Sequence, residues 1–145
     1  MNIEDIKPYE RMVFYYETDT MQIVHHSNYI RWMEEARMDW MDQIGWNYRK
    51  IEDEKMIIPV LSASAEYKTM SRYGETFSIA VKLSEYTGVR VGFSYEIRDK
   101  ATGEIRCLGK TSHCLLDENN KILFIKKAYP EMDQLFKELK QQSVE

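Results

Sequence analysis

The sequence has few residues that break regular structure, with three prolines and six glycines among 145 residues. It also lacks a long apolar run, because the longest, at residues 56–61, is far shorter than the roughly 20 residues that a membrane-spanning helix needs. A chain that is 43% hydrophobic and poor in Gly and Pro is neither disordered nor collagen-like. We therefore expect a single folded domain over residues 1–145, with no membrane span.

Cysteine is also scarce, since the chain has only Cys107 and Cys114. Their odd spacing within one predicted strand places them on opposite faces, so we expect neither a disulfide nor a shared metal site. No C-x-x-C or H-E-x-x-H spacing occurs, and no metal is expected. Residues 1–10 carry three acids and no apolar segment, which predicts no secretory signal and a cytoplasmic location. A net charge of -4 argues against a nucleic-acid binder that neutralises phosphates.

A long amphipathic helix is predicted from Tyr29. Apolar residues recur there every three or four positions, at Met33, Ala36, Trp40 and Ile44. We expect Ser27 or Asn28 to cap the start of this helix and Gly45 to end it.

Period-two alternation dominates most of the remaining chain and predicts an antiparallel sheet. The predicted strands cover residues 11–16, 57–70, 76–83, 89–98 and 104–116. Residues 46–55 are expected to be a connector, and residues 131–141 to form a short C-terminal helix. This order predicts an α+β fold in which an antiparallel sheet is wrapped around one long helix. Because such a small sheet leaves open edges and an uncovered face, we also expect a homo-oligomer.

Residues 15–29 contain the side chains best suited to catalysis. They bring an acid, Asp19, and two histidines, His25 and His26, to the start of the long helix. The first amides of a helix lack intrahelical acceptors and can polarise a carbonyl, while a carboxylate can attack it or activate water. The segment thus has the parts of an acyl-transfer site, although Asp19 is equally compatible with an ordinary loop acid.

The same segment contains the pattern Y-x-x-x-D-x-x-x-x-V-x-H-x-N-Y-x-x-x-x-E-x-A-R, between Tyr15 and Arg37. This pattern resembles the signature of the 4-hydroxybenzoyl-CoA thioesterase-like hotdog family. The closest resemblance is to the branch of small acyl-CoA thioesterases associated with the Tol-Pal system, and it extends to residues 66–67, 72–75 and 103–116. It implies a single hotdog domain that forms homodimers or homotetramers.

The resemblance also implies roles for individual residues. Asp19 matches the catalytic carboxylate, acting as nucleophile or as general base, and His26 matches a histidine that positions the thioester or water. Tyr15 matches a supporting hydroxyl, and the amides near His26 and Ser27 match the helix end that polarises the carbonyl. One departure is Gln22, because relatives often have glycine or another small residue in this stretch. The implied substrate is an acyl-CoA, with coenzyme A as part of the substrate and no separate cofactor.

Coenzyme A carries several phosphate charges, so local cations are needed to bind it. The candidates for substrate and coenzyme A binding are Ser27, Asn28, Lys68, Arg72, Arg90 and Lys110. Three further polar residues have more ordinary interpretations: Glu34 and Glu35 as partners of Arg31 or Arg37 or as a solvated helix face, and His113 as a hydrogen-bonded sheet histidine.

The leading functional hypothesis is an acyl-CoA thioesterase. The alternative is a non-catalytic hotdog module that binds acyl thioesters. A thioesterase acting on acyl carrier protein and a hotdog dehydratase are less favoured. Sequence alone leaves the acyl group and the carrier open.

Overall fold

The structure is a computed structural model that describes residues 1–143. Within this range one antiparallel sheet contains five strands in the order β1-β3-β4-β5-β2. The strands are β1 (Tyr9–Met12), β2 (Val60–Tyr67), β3 (Thr76–Tyr86), β4 (Arg90–Asp99) and β5 (Ile105–Cys114). The helices are α1 (Ser27–Gln43), α2 (Tyr48–Asp53), α3 (Ile125–Ala128) and α4 (Pro130–Gln142). The predicted α+β fold with one long helix and a shorter C-terminal helix is confirmed.

Helix α1 packs across one face of the sheet because both surfaces are apolar. Its residues Trp32, Met33 and Ala36 are buried against alternating strand residues such as Ile79 and Ile97, which are paired across β3 and β4. The burial of these side chains supplies the main favourable free energy of folding. The core thus lies between α1 and the sheet, as the alternation of apolar and polar residues predicts.

One glycine allows α1 to approach the sheet closely. Gly109 lies in the middle of β5, and a Cβ there would collide with the Sδ and Cε atoms of Met33 on α1. The Ser64 carbonyl oxygen would lie 3.3 Å from the same Cβ. The contact between α1 and β5 therefore depends on the missing side chain.

The structure corrects the first predicted strand. Strand β1 ends at Met12, and Tyr15–Glu17 form a turn of 3₁₀-helix instead of continuing the strand. The turn forms because the Glu17 carboxylate accepts the Phe14 N–H at 2.8 Å and the Tyr15 carbonyl accepts the Thr18 N–H at 3.1 Å. The predicted connector at residues 46–55 also contains a helix, α2, whose start is capped by Asn47.

The start of α1 also differs from the prediction. Neither Ser27 nor Asn28 caps it, because His26 already has helical backbone angles of φ -57° and ψ -28°. The capping contact is made instead by His25, whose Nδ1 accepts the Ser27 N–H at 3.2 Å. Gly45 follows the end of the helix with φ 95°, in agreement with its predicted role.

The two cysteines and the membrane prediction can be compared directly with the structure. Cys107 and Cys114 are buried and free, and alternation along β5 places them on opposite faces of the sheet. Among residues 1–143, no helix combines the length and apolar character required to cross a bilayer.

Candidate active site

Asp19 lies in a tight turn just before helix α1. Thr18 and Val24 pair on either side of this turn, the Asp19 N–H donates to the Ile23 carbonyl at 2.8 Å, and the Gln22 N–H donates to the Asp19 carbonyl at 2.9 Å. The Asp19 Oδ1 accepts the Met21 N–H at 2.8 Å. Within residues 1–143, the other carboxylate oxygen, Oδ2, makes no hydrogen bond. The turn therefore fixes the carboxyl group by one oxygen and leaves the second available.

Gln22 adopts a left-handed conformation, which glycine adopts most readily, with φ 66°. A side chain in this region costs about 1 kcal/mol relative to glycine. The backbone hydrogen bonds of Asp19 hold the turn despite this cost. Gln22 thus holds a left-handed backbone conformation with a full side chain.

The buried carboxylate of Glu17 holds the segment that precedes Asp19. Its oxygens accept hydrogen bonds from Arg11 at 2.6 Å, from the Phe14 N–H at 2.8 Å and from the Trp32 indole at 2.9 Å. Burial raises the pKa of Glu17, but these hydrogen bonds and the Arg11 charge outweigh it and lower the pKa below its usual value. Glu17 is therefore an ionised anchor between β1, the Asp19 segment and α1.

The backbone of Glu17 fixes the opening of α1. Its carbonyl accepts the His25 N–H at 2.9 Å and the Asn28 side-chain amide at 2.9 Å. The Asn28 amide also donates to the His25 carbonyl, so this buried side chain bonds to the backbone of both Glu17 and His25. The Ser27 N–H is occupied by His25, whereas the His26 N–H makes no hydrogen bond to any of residues 1–143. Of the two predicted amide donors, His26 is the one left open.

His26 lies beside the end of β2. Its ring stacks on His25 at a centroid distance of 4.3 Å and meets the edge of Tyr67 at 6.2 Å. The Tyr67 hydroxyl donates to the His26 carbonyl at 3.4 Å. Lys68 follows Tyr67 directly and is exposed, with its ammonium group 3.5 Å from Glu66. Because Ala65 pairs with Gly109, which faces α1, Glu66 and the Lys68 ammonium that contacts it lie on the opposite face of the sheet from Tyr67 and His26.

A surface cavity of about 380 Å³ adjoins the Asp19 turn. It is lined by Tyr15, Thr18, Gln22, Arg72 and Tyr73. The Tyr15 ring, which is exposed, meets the Tyr73 ring edge-on at 5.8 Å. A bridge between Ile23 and Arg72 joins the two loops. Two predicted site residues, Tyr15 and Arg72, are therefore brought together next to Asp19.

The structure places Arg90 and Lys110 away from this group within one protomer. Asp99, at the end of β4, pairs with Phe77 near the start of β3, which follows the loop that contains Arg72. Arg90 lies at the other end of β4, about 30 Å from Asp99 at 3.3 Å per residue. Lys110 alternates with Gly109, which faces α1, so its side chain lies on the opposite face of the sheet.

The helical acids do not form the predicted ion pairs. Glu35 contacts Arg11 at 2.8 Å and accepts the Tyr9 hydroxyl at 2.9 Å, so its partner is neither Arg31 nor Arg37. Glu34 is exposed, in agreement with the solvated-face interpretation.

Sequence reasoning missed Glu17 and Arg11 as organising residues. A glutamate in a polar loop carries no local sign of burial, and its partners Arg11 and Trp32 are 6 and 15 positions away. Tyr67, which contacts His26 from β2, is indicated in the sequence only by the family resemblance at residues 66–67.

Comparisons with known proteins agree with this fold. Residues 13–139 match the thioesterase-like superfamily. A protein of Aquifex aeolicus, named provisionally as an esterase, is 36% identical over 82% of this chain and 91% of its own length. A Bacillus subtilis protein, named provisionally as an acyl-CoA thioesterase, is 33% identical over 88% of this chain and 93% of its own. The DHNA-CoA thioesterase of Staphylococcus aureus superposes with a TM-score of 0.88 at 26% identity, over 93% of this chain and 91% of that one.

The long helix on an antiparallel sheet, together with relatives named as acyl-CoA thioesterases and hydrolases, defines a hotdog thioester hydrolase. The chain belongs to the thioesterase-like superfamily. The predicted family and enzyme class are confirmed, and the Tol-Pal branch remains a prediction.

Proposed function

We propose that this protein hydrolyses acyl-CoA thioesters at the Asp19 turn. The observation that carries the proposal is that one short unit, residues 17–28, holds both an open carboxylate oxygen, Asp19 Oδ2, and an open amide donor, His26 N–H. A thioester needs an attacking or base group at its carbonyl carbon and a donor at its carbonyl oxygen. Glu17, whose carbonyl binds Asn28 and whose carboxylate binds Trp32, supports a preorganised arrangement.

Two reaction routes are compatible with these groups. In one, the Asp19 carboxylate attacks the thioester carbon, coenzyme A leaves as the thiolate, and water hydrolyses the resulting mixed anhydride. In the other, Asp19 accepts a proton from a water molecule that attacks the same carbon, and the thiolate takes up a proton after it leaves. In both routes the His26 N–H donates to the oxygen on which negative charge develops.

Most of the remaining predicted site residues have supporting roles in this proposal. His26 and Tyr15 flank the Asp19 turn, and Arg72 contributes a cation to the adjacent cavity. Arg72 is the cation proposed to contact the phosphates of coenzyme A, since it lines the cavity beside the turn. Ser27 and Asn28 support the opening of α1 through hydrogen bonds to His25 and Glu17.

We also propose that two copies of the chain pair through β2. This strand lies at an edge of the sheet, and nearly all its residues are exposed, including Val60 at 52% and Leu61 at 47%. An exposed apolar edge strand is a template for pairing with a second chain. Leu61→Lys is expected to shift a dimer to monomer in light scattering, whereas Met12→Lys on the opposite edge strand leaves the mass unchanged. A monomeric native protein would contradict this proposal.

The test of catalysis is thiol release from a panel of short, long and aromatic acyl-CoAs. Aromatic substrates belong in the panel because the similar Staphylococcus aureus structure is a DHNA-CoA thioesterase. Asp19→Asn is expected to lower the rate at least about 100-fold, the scale of a lost acid–base group. Asp117→Asn is the matched control, because Asp117 accepts backbone N–H groups in another exposed turn.

The outcome also separates the enzyme from a binding module. If the native protein binds acyl-CoA and releases no thiol from any member of the panel, the non-catalytic alternative replaces the proposal. Equal rates for the native protein and Asp19→Asn would remove Asp19 from its role. A panel that includes acyl carrier protein thioesters distinguishes the two carriers.

A further inference from the structure

His25 lies at the junction between the Asp19 turn and α1, and its imidazole contacts the first turn of the helix. The Nδ1 atom accepts the Ser27 N–H at 3.2 Å and lies 2.8 Å from the Ser27 Oγ. Among residues 1–143, no other side chain accepts a hydrogen bond from the amides of this first turn. His25 is therefore the residue whose side chain caps the start of α1.

The direction of the His26 N–H depends on the hydrogen bonds around it. This N–H and the His25 carbonyl belong to one planar peptide unit and point in opposite directions. The carbonyl accepts the backbone N–H of Asn28 at 3.0 Å and the Asn28 side-chain amide at 3.2 Å. The imidazole of His25 holds the next peptide unit through the Ser27 N–H. The open amide donor of the proposed site is thus fixed from both sides, once by the backbone of His25 and once by its ring.

The ring can make its capping contact only when it is uncharged. A neutral imidazole has one acceptor nitrogen, whereas both nitrogens of an imidazolium are donors. After protonation, Nδ1 would meet the Ser27 N–H donor to donor, and the Ser27 Oγ would be the acceptor within its reach. The side chain of His25 is exposed, so the ring exchanges protons with solvent. Uptake of a proton therefore releases the Ser27 N–H.

The surroundings of the ring contain no bound carboxylate. The His25 ring stacks on His26 at a centroid distance of 4.3 Å, and among residues 1–143 no acid hydrogen-bonds to either imidazole. The other ionisable groups around this corner come from three elements: Tyr67 on β2, Asp19 in the turn and the Glu17–Arg11 pair between α1 and β1. A protonated His25 would thus face a second imidazole without an anion bound to it.

From these contacts we infer that His25 is a positioning residue for the proposed hydrolysis, and that its neutral imidazole keeps the His26 N–H directed at the reacting carbonyl. The inference rests on the proposed function, in which the His26 N–H is the oxyanion donor. Such a donor lowers the barrier only if its direction is fixed before charge develops. His25 itself does not touch the thioester and acts through Ser27 and His26. Loss of the capping contact should therefore lower kcat and leave KM nearly unchanged.

Two substitutions separate the ring from its acceptor nitrogen. His25→Phe keeps a flat ring beside His26 but has no acceptor. It is expected to lower kcat at least about tenfold, less than the roughly 100-fold loss on removal of an oxyanion donor, with KM within about twofold of native. His25→Asn supplies an uncharged acceptor for the N–H two residues further on, so it should recover most of the native kcat at about pH 8.

The pH profile of kcat is a readout that a mere packing role would not change. Between about pH 8 and pH 5, the range in which histidine changes charge, the native kcat is expected to fall as His25 gains a proton. His25→Asn cannot be protonated in this range, so its kcat should stay level further into acid, until a group such as Asp19 is protonated. Circular dichroism at each pH verifies that the loss is not unfolding.

A second cap in the same chain provides the matched control. Asn47 caps α2, beyond the far end of α1, by accepting the Lys50 N–H at 2.9 Å. Asn47→Ala is expected to lower stability and to leave both kcat and its pH profile unchanged. The ¹⁵N-amide signal of Ser27 reports the His25 cap without substrate. It should shift in His25→Phe and on acidification of the native protein, and stay in place on acidification of His25→Asn.

Three results would overturn the inference in an active protein. These are a native kcat in His25→Phe, the same pH profile in His25→Asn as in the native protein, and an equal loss of kcat in Asn47→Ala and His25→Phe. A native protein that releases no thiol from any acyl-CoA would overturn the proposed function and this inference together. The two kinds of failure are therefore distinguishable.

Discussion

The Glu17 carboxylate accepts the indole N–H of Trp32 at 2.9 Å, and this contact joins the Asp19 segment to the second turn of α1. Both residues are almost completely buried. Because the same carboxylate also holds Arg11, one side chain links the first strand, the candidate catalytic turn and the long helix. The position of Asp19 is therefore coupled to the core.

Replacement of Glu17 by Ala is expected to destabilise the protein by about 3 kcal/mol, because it leaves the Phe14 N–H and the Trp32 N–H without their acceptor. Urea unfolding measures the change. Glu35→Ala also removes a partner of Arg11 but no contact to the Asp19 segment, so its effect on thioester activity is expected to be smaller. Equal loss of activity in the two variants would show that Glu17 does not position the turn.

The architecture follows from the sequence because periodicity reports which side chains face the core. The apolar stripe at Met33, Ala36 and Trp40 and the alternation around Ile79 and Ile97 define the helix and the central strands without long-range information. The resemblance located Asp19 and His26. What the sequence could not predict depends on distant pairing: the burial of Glu17 and the partners of Glu35.

The differences between the predicted and the observed local structure also arise from contacts with distant residues. The Tyr15–Glu17 turn replaces the end of a predicted strand because a tertiary hydrogen-bond network stabilises it. The start of α1 was assigned to Ser27 or Asn28 by residue type, yet His25 performs the capping with its imidazole. Residue preferences give the approximate position of a helix start, and the surrounding contacts decide the capping atom.

The buried His113, which hydrogen-bonds to the Pro59 carbonyl and the Thr111 hydroxyl, is expected to make stability decrease in mild acid. Burial and the Arg37 charge lower its pKa from 6.5 to about 4, so between these values the unfolded chain binds a proton that the folded protein does not. The stabilising contribution is complete above pH 6.5 and is lost as the pH falls toward 4. Linkage gives a loss of about 2 kcal/mol between pH 7 and pH 5.

Urea unfolding of the native protein and of His113→Asn at the two pH values tests this expectation. The variant is less stable overall but should lose most of the pH dependence in this range. His26→Asn, which changes an exposed histidine, is the control and should retain the native slope. A His113→Asn protein with an unchanged slope would assign the pH dependence to another group.

Gly109→Ala is expected to lower stability by about 1–3 kcal/mol, because the new methyl group overlaps the end of the Met33 side chain. Met33→Ala removes the overlapping Sδ and Cε atoms, so the double variant should recover part of the loss. Thermal unfolding of the two single variants and the double variant measures the coupling. Simple additivity of the two losses would contradict the proposed contact.

Gln22→Gly is expected to stabilise the Asp19 turn by up to about 1 kcal/mol, because glycine adopts φ 66° without steric cost. Gln22→Val should destabilise the protein, since a β-branched residue fits this conformation poorly. Lys55→Gly is a matched control at φ 54° in a turn distant in sequence from Asp19, and it should give a similar gain. A gain at Lys55 with a loss at Gln22 would show that the Gln22 side chain itself supports the turn.

The left-handed turn also determines what the wall of the neighbouring cavity is made of. Glycine at position 22 would adopt the same backbone conformation, but it has no side chain that could contact a bound molecule. Gln22 adds a carboxamide to the wall that Tyr15 and Arg72 share, and a carboxamide both donates and accepts hydrogen bonds. If the substrate occupies this cavity as proposed, a residue tolerated at a conformational cost would favour polar over apolar groups at the wall.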